Sequence, residues 1–142
     1  MEHWELVARE GIRETVARYA HLVDSGRFDE LVALFTDEAV LEAADLPPAR
    51  GRTAIAALFR GTGERLAAAA TSRPLIRHHV SNLTIDISGP AADARSYFLA
   101  ITERGPDHWG RYRDRLAYVG GHWLFMSRVV RVDGRAAGSV FG

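Results

Sequence analysis

The feature that most constrains this chain is a change of hydrophobic period at Pro74. Before it, apolar residues recur at helical spacing. After it they alternate with polar ones, and turn signals separate the runs. Residues 2–24 read as a long amphipathic helix with Ala8, Ile12, Val16, Tyr19, Ala20 and Val23 on one face, stopped by Gly26. Residues 28–35 read as a short second helix, with Asp29 and Glu30 in the first turn, where the helix dipole favours acids. A short strand is expected over 39–43, and Asp45-Leu46-Pro47-Pro48 must be loop. A third helix opens at Gly51-Arg52-Thr53 and runs to about residue 70, with Thr53 as N-cap and a bend or break at Gly61 and Gly63. Strands are expected over 75–87, 93–102, 110–119 and 122–132, with 103–109 as loop because of Gly105 and Pro106. Helices followed by an antiparallel meander is an α+β order.

The 142 residues show no linker and no internal repeat, so residues 1–142 read as one domain with its own core. Lys+Arg and Asp+Glu balance at 18 each, which offers no bulk attraction to nucleic acid or to an anionic membrane. The absence of cysteine removes disulfides, thiol catalysis and thiolate metal sites. The first residues mix charged and apolar types and do not resemble a signal peptide, so a cytoplasmic location is expected. Gly-rich phosphate loops, zinc-binding helical motifs and nucleophile elbows are missing. No cofactor and no metal are expected.

Chemistry concentrates in Arg77-His78-His79-Val80-Ser81-Asn82-Leu83-Thr84-Ile85-Asp86. Strand alternation puts His78, Val80, Asn82 and Thr84 on one face, and His79, Ser81, Leu83 and Ile85 on the other. One histidine must face whatever the sheet covers. We expect a small-molecule cavity with His78 and Asn82 on its wall, because imidazole exchanges protons near neutral pH and an amide orients a carbonyl. Asp24 ends the first helix, where the dipole disfavours an acid. It either caps the next helix or pairs with an imidazole across the cavity. Tyr19, one turn earlier on the apolar face, is a core residue or an oxyanion donor. In 110–116, Arg111, Arg113 and Arg115 share a face that must meet water or a polar subunit contact. Tyr112 and Asp114 then point inward, and an inward Asp needs a partner unless it lies at a wet sheet edge. Phe98, with Trp4, Phe59, Trp109, Trp123 and Phe125, reads as core or pocket lining.

The order of these pieces resembles the SnoaL-like branch of the nuclear-transport-factor-2-like superfamily. The matching stretches are Arg18-Tyr19-Ala20 with Asp24-Ser25-Gly26-Arg27-Phe28-Asp29, then Leu34-Phe35-Thr36-Asp37-Glu38-Ala39 and Gly51-Arg52-Thr53-Ala54-Ile55. Arg77-His78-His79-Val80-Ser81-Asn82 and Val119-Gly120-Gly121-His122-Trp123 complete the set. The resemblance implies a cone: a curved antiparallel sheet packed on three N-terminal helices, enclosing a cavity, usually in a dimer. Within the superfamily the chain is most similar to the scytalone-dehydratase-like group, in which a Tyr/Asp helix end and strand histidines carry out cofactor-free dehydration. Asp24 falls at that group's helix-end acid, His78 near one histidine, and Tyr112 near a substrate-binding amide. A second histidine of that group falls near Ser96. Ketosteroid isomerases match at Tyr19, but their base falls near Ala43. The acid that polyketide cyclases carry on the last strand is missing from Met126-Ser127-Arg128-Val129-Val130.

These readings lead to a cofactor-independent lyase or isomerase acting by dehydration, cyclisation or double-bond migration. Its substrate would be a small, mostly apolar carbonyl or polyketide-like molecule. His78, Asp24 and Tyr19 would be catalytic, and Asn82, Tyr112, Asp114 and Phe98 would hold the substrate. The expected partner is that small organic molecule, with neither nucleic acid nor membrane, and the expected assembly is a homodimer. The alternative is a non-catalytic dimeric domain that binds a small ligand or a partner subunit.

Overall fold

The computed structural model describes residues 1–72 and 74–141. Helix α1 (His3–Asp24) is followed by α2 (Phe28–Val32), strands β1 (Phe35–Ala43) and β2 (Ala49–Arg50), and α3 (Arg52–Ala69). Strands β3 (Ile76–Ser88), β4 (Ala91–Thr102), β5 (Gly105–Val119) and β6 (His122–Arg135) complete the chain. The strands form one six-stranded sheet in the order β2-β1-β6-β5-β4-β3. The three helices pack on its concave face, and the sheet is curved without closing. No helix among the described residues is long and apolar enough to cross a membrane.

Helix α1 buries Ala8, Ile12, Thr15, Val16, Tyr19, Ala20 and Leu22, the stripe its periodicity requires. Two polar bonds fix the helix on the sheet: Thr15 Oγ1 donates to the Trp123 carbonyl at 2.6 Å, and Arg9 donates to the Ile85 carbonyl at 2.8 Å. Gly11 lets the Trp123 indole lie against the helix, since a Cβ there would come within 2.8 Å of the ring.

The four C-terminal strands form the expected antiparallel meander, but the whole sheet is mixed. β1 runs parallel to β6, because α3 carries the chain from the β1 side of the sheet to its far edge before β3 begins. The second helix ends at Val32 rather than residue 35, and β1 starts at Phe35, whose ring is fully buried against Phe125. Thr53 does not cap α3: Gly51 occupies the N-cap with a positive φ of 83° that suits glycine. The helix runs unbroken through Gly61 and Gly63. Gly63 instead opens space for the Phe28 ring, which an added Cβ would approach to 3.4 Å.

Curvature comes from bulges. Register shifts occur between Ser81 and Thr84 on β3, around Ala100 and Ile101 on β4, and at Trp109–Gly110 and Arg115–Leu116 on β5. Gly110 is obligatory at its bulge, where a Cβ would lie 1.9 Å from the Arg131 carbonyl oxygen. The expected loop over 103–109 is a tight turn at Glu103–Arg104 followed by strand. Gly105 enters that strand at φ 101°, and Pro106 sits at its start beside a bulge, where a missing N–H costs no ladder bond.

The bulge at Ser81–Thr84 overturns one expectation. Asn82 adopts φ 57° and takes up the extra residue. The alternation therefore inverts: Ile76, His78 and Val80 face inward, and beyond the bulge Leu83, Ile85 and Ile87 do so. Asn82 is exposed on the convex face beside Arg95, Tyr97 and Arg111 and does not share a wall with His78. The physical reason is hydrophobic. Keeping one phase throughout would have turned Leu83, Ile85 and Ile87 to solvent.

Candidate active site

Asp24 and His78 meet although 54 residues separate them. The last turn of α1 brings the carboxylate to the start of β3, where Asp24 Oδ1 lies 2.6 Å from His78 Nδ1 and Oδ2 accepts the His78 backbone N–H at 3.0 Å. Two donors held by one carboxylate fix both the backbone and the ring. Because a carboxylate only accepts, Nδ1 carries a proton and Nε2 is the nitrogen left for exchange. Among the described residues Nε2 has no partner. The pairing resolves the two options for Asp24 in favour of the imidazole: α2 begins at Phe28 without any side-chain cap.

His78 lies on the wall of a cavity of about 310 Å³ lined by α1, α3, the concave sheet and Phe141. Tyr19, Leu58, Phe59, Phe98, Tyr112 and Val130 supply much of its apolar surface. Asp24 is behind His78 rather than on the wall. Tyr19 is buried among Phe35, Phe59, Tyr112 and Phe125, all with ring centroids within 6.3 Å. Burial raises the phenol pKa of Tyr19, partly offset by the Arg128 charge beside it. Burial raises Tyr112 further. Both phenols stay protonated at neutral pH and can donate to an oxygen in the cavity. Phe98 stacks on Tyr112 at 4.7 Å and packs beside His78.

Asp114 points inward as its alternation requires, and its partner is Arg128, directly opposite on β6. The two make a fork at 2.7 and 2.8 Å. The guanidinium lies over the rings of Tyr112, Tyr19 and Phe125 at 3.8, 4.1 and 4.5 Å. Burial alone would lower the Arg128 pKa, but the Asp114 carboxylate more than offsets it and holds the group above its ordinary value. Asp114 is therefore not a cavity residue. It is sealed under the tyrosines, and the expectation that it contacts substrate is corrected to a structural ion pair supporting the cavity floor.

The sequence reading missed a second imidazole–carboxylate pair. His108 Nδ1 lies 2.7 Å from Asp107 Oδ2, and His108 is on the same cavity wall. Both residues were hidden in the stretch read as loop. Asp107 also accepts from Ser139 Oγ and the Val140 N–H, each at 2.7 Å, so residues beyond β6 complete the wall. A larger concavity of about 980 Å³, lined by Trp4, Val7, Tyr118 and Trp123 among others, contains neither imidazole–carboxylate pair. Among the described residues no group of three or more His, Asp or Glu side chains is gathered as metal ligands would be.

This arrangement can be set beside known proteins. The model of the SnoaL-like domain family matches residues 4–129. The chain belongs to the SnoaL-like family. No curated protein sequence matches it significantly. Among solved structures, this SnoaL-like chain is similar to a protein of Novosphingobium aromaticivorans provisionally named a scytalone dehydratase. The two share 30% identity and a TM-score of 0.80, over 93% of this chain and 88% of that one. A nuclear-transport-factor-2-like protein with a cystatin-like fold from the same organism is 27% identical, with a TM-score of 0.80 over 94% and 87%. A Catenulispora acidiphila protein solved in complex with S-DNPA is 29% identical, with a TM-score of 0.78 over 90% and 95%. The SnoaL-like fold is thus shared with these proteins.

Proposed function

We propose that this SnoaL-like protein is a cofactor-independent lyase or isomerase, of dehydratase, cyclase or double-bond-shifting type. Its substrate is a small, mostly apolar carbonyl compound of polyketide-like character. One observation carries the reading: His78 has Nδ1 fixed by Asp24 at 2.6 Å while Nε2 remains unpartnered on the wall of a cavity lined largely by aromatic and aliphatic side chains. An imidazole so oriented exchanges protons with a carbonyl compound, and the carboxylate behind it fixes which nitrogen faces the substrate. Tyr19 and Tyr112 donate to the oxygen on which enolate charge develops, and Phe98 supports the ring system. The likeness to a protein named for scytalone dehydratase, and to a relative holding S-DNPA, supports a small organic substrate. We propose a homodimer as its assembly, which light scattering measures.

The test is the dehydration of β-hydroxytetralone to a fluorescent naphthol. We expect the wild type to accelerate it, and His78→Gln and Asp24→Asn to lower turnover by about 10²–10⁴-fold with unchanged circular dichroism. Turnover close to wild type in both variants removes the assignment.

A further inference from the structure

Two imidazoles, not one, face the cavity. Ala100 on β4 pairs with His78 on one side and His108 on the other, so the histidines are next-but-one neighbours across the sheet. Ala100 is fully buried and too small to fill the gap, and the rings lean over it to a centroid separation of 6.4 Å. Each ring has Nδ1 tied to its own carboxylate, so each presents Nε2. Asp107 is almost fully buried. What it holds is the His108 ring and the C-terminal segment, residues 136–141. The Asp107 carbonyl accepts the Ala136 N–H, the carboxylate takes Ser139 and Val140, and Phe141 then packs on His108 at 5.4 Å.

We propose that His108 is a second catalytic residue of this cavity, the general base that removes a proton from carbon while His78 protonates the departing oxygen, with Asp107 and residues 136–141 positioning it. This inference rests on the proposed function and narrows the substrate to a β-hydroxy carbonyl compound. The position lies outside the resemblance, which finds only Ser96 where that group has its second histidine. His108 Nε2 takes the proton from the carbon next to the carbonyl. The C–H electron pair becomes the new C=C bond, the β C–O bond breaks, and the leaving hydroxyl takes the proton from His78 Nε2 and departs as water. Proton exchange from His108 to His78 restores the starting state.

The division of roles follows from surroundings. Burial lowers the His108 pKa, and the attraction of Asp107 only partly opposes this, so His108 rests neutral, as a base must. Asp107 shares its charge among three donors, whereas Asp24 serves His78 alone. The other charged groups facing His108 are His78 from β3 and Arg135 from β6, which both disfavour its protonation. Arg65 from α3 lies over Phe141 at 5.5 Å, and Asp45 is 3.7 Å from Arg135.

Two probe reactions separate the roles. Deuterium uptake by α-tetralone needs only a base and an oxyanion donor, whereas dehydration of β-hydroxytetralone needs the acid as well. We expect His108→Gln to lower both by about 10²–10⁴-fold, and His78→Gln to lower dehydration by a clearly larger factor than deuterium uptake. Uptake retained in His108→Gln, or lowered in His78→Gln by the same factor as dehydration, overturns the inference while leaving a one-histidine mechanism standing. A wild type that performs neither reaction takes the proposed function down with it. Asp107→Asn provides a readout independent of His108 replacement. Removing the carboxylate moves the acid limb of the uptake profile to lower pH, and an unmoved limb overturns the positioning role.

Discussion

Two buried carboxylates in this protein each bind a basic side chain on a strand, with opposite consequences. Asp114 and Arg128 are both completely shielded, and their fork is capped by aromatic rings. Asp24 and His78 are about one-tenth exposed, at 11% and 10%, and the imidazole fronts a cavity. The first pair can do no proton chemistry: a guanidinium does not release its proton in a protein, and nothing reaches it. The second can, because an imidazole has two nitrogens and Nε2 is left free on the cavity wall. A buried charge pair becomes chemical only when it combines a titrating partner with access.

The sharpest way to break this comparison is to remove one member of each pair. Asp114→Leu leaves Arg128 buried and uncompensated and should cost about 3–5 kcal/mol of stability in urea unfolding. His78→Gln should cost clearly less, because Asp24 keeps the His78 backbone N–H and gains water from the cavity. Equal losses would mean that the pairs are equivalent. Adding Arg128→Met to Asp114→Leu should recover most of the loss, since an apolar replacement of both partners removes the uncompensated charge. Failure to recover would show that stacking of Arg128 on Tyr19 and Tyr112 matters more than its charge. On the convex face, Asn82→Val should cost about 1–2 kcal/mol, because a branched side chain resists φ 57°. Turnover should not change, as Asn82 lies away from the cavity; a loss of turnover would return it to the site.

The smallest effect expected is on pH-dependent stability. His108 has a folded pKa below its ordinary value of 6.5, chiefly through burial. Between that folded value and 6.5 the unfolded chain binds the proton more readily, so stability declines as pH falls through the window. Thermal melts should show this slope in wild type and a flatter one in His108→Gln. The Asp107 carboxyl, held below its ordinary 3.8 against the opposing effect of burial by Ser139, Val140 and His108, adds a further loss only as pH drops below that value.

Much of the site was legible in residue order. An acid at a helix C-terminus and a histidine inside an apolar strand each need a reason. The sequence marked both residues but left Asp24 between capping the next helix and pairing with the imidazole, and the structure shows the pair. The inward turn of Asp114 was equally readable, though not its partner, because Arg128 becomes opposite Asp114 only once the β5–β6 register is set. Asn82 was misread because strict alternation cannot reveal where a bulge falls. His108 was missed because Gly105 and Pro106 read as breakers in the local pattern, and only the neighbouring strand decides whether such residues open a strand or end one.

The sequence by itself determined the α+β order, the amphipathic face of α1 and the inward turn of Tyr112, Asp114 and Leu116 on β5, because these follow from periodicities of a few residues. Only the tertiary structure decided that β1 lies parallel to β6, that a bulge turns Asn82 outward, and that the C-terminal segment clamps Asp107 beside His108. Those outcomes depend on contacts between residues far apart in the chain. Burial of Leu83, Ile85 and Ile87, and satisfaction of a shielded carboxylate, are settled only when the whole sheet has closed on its helices.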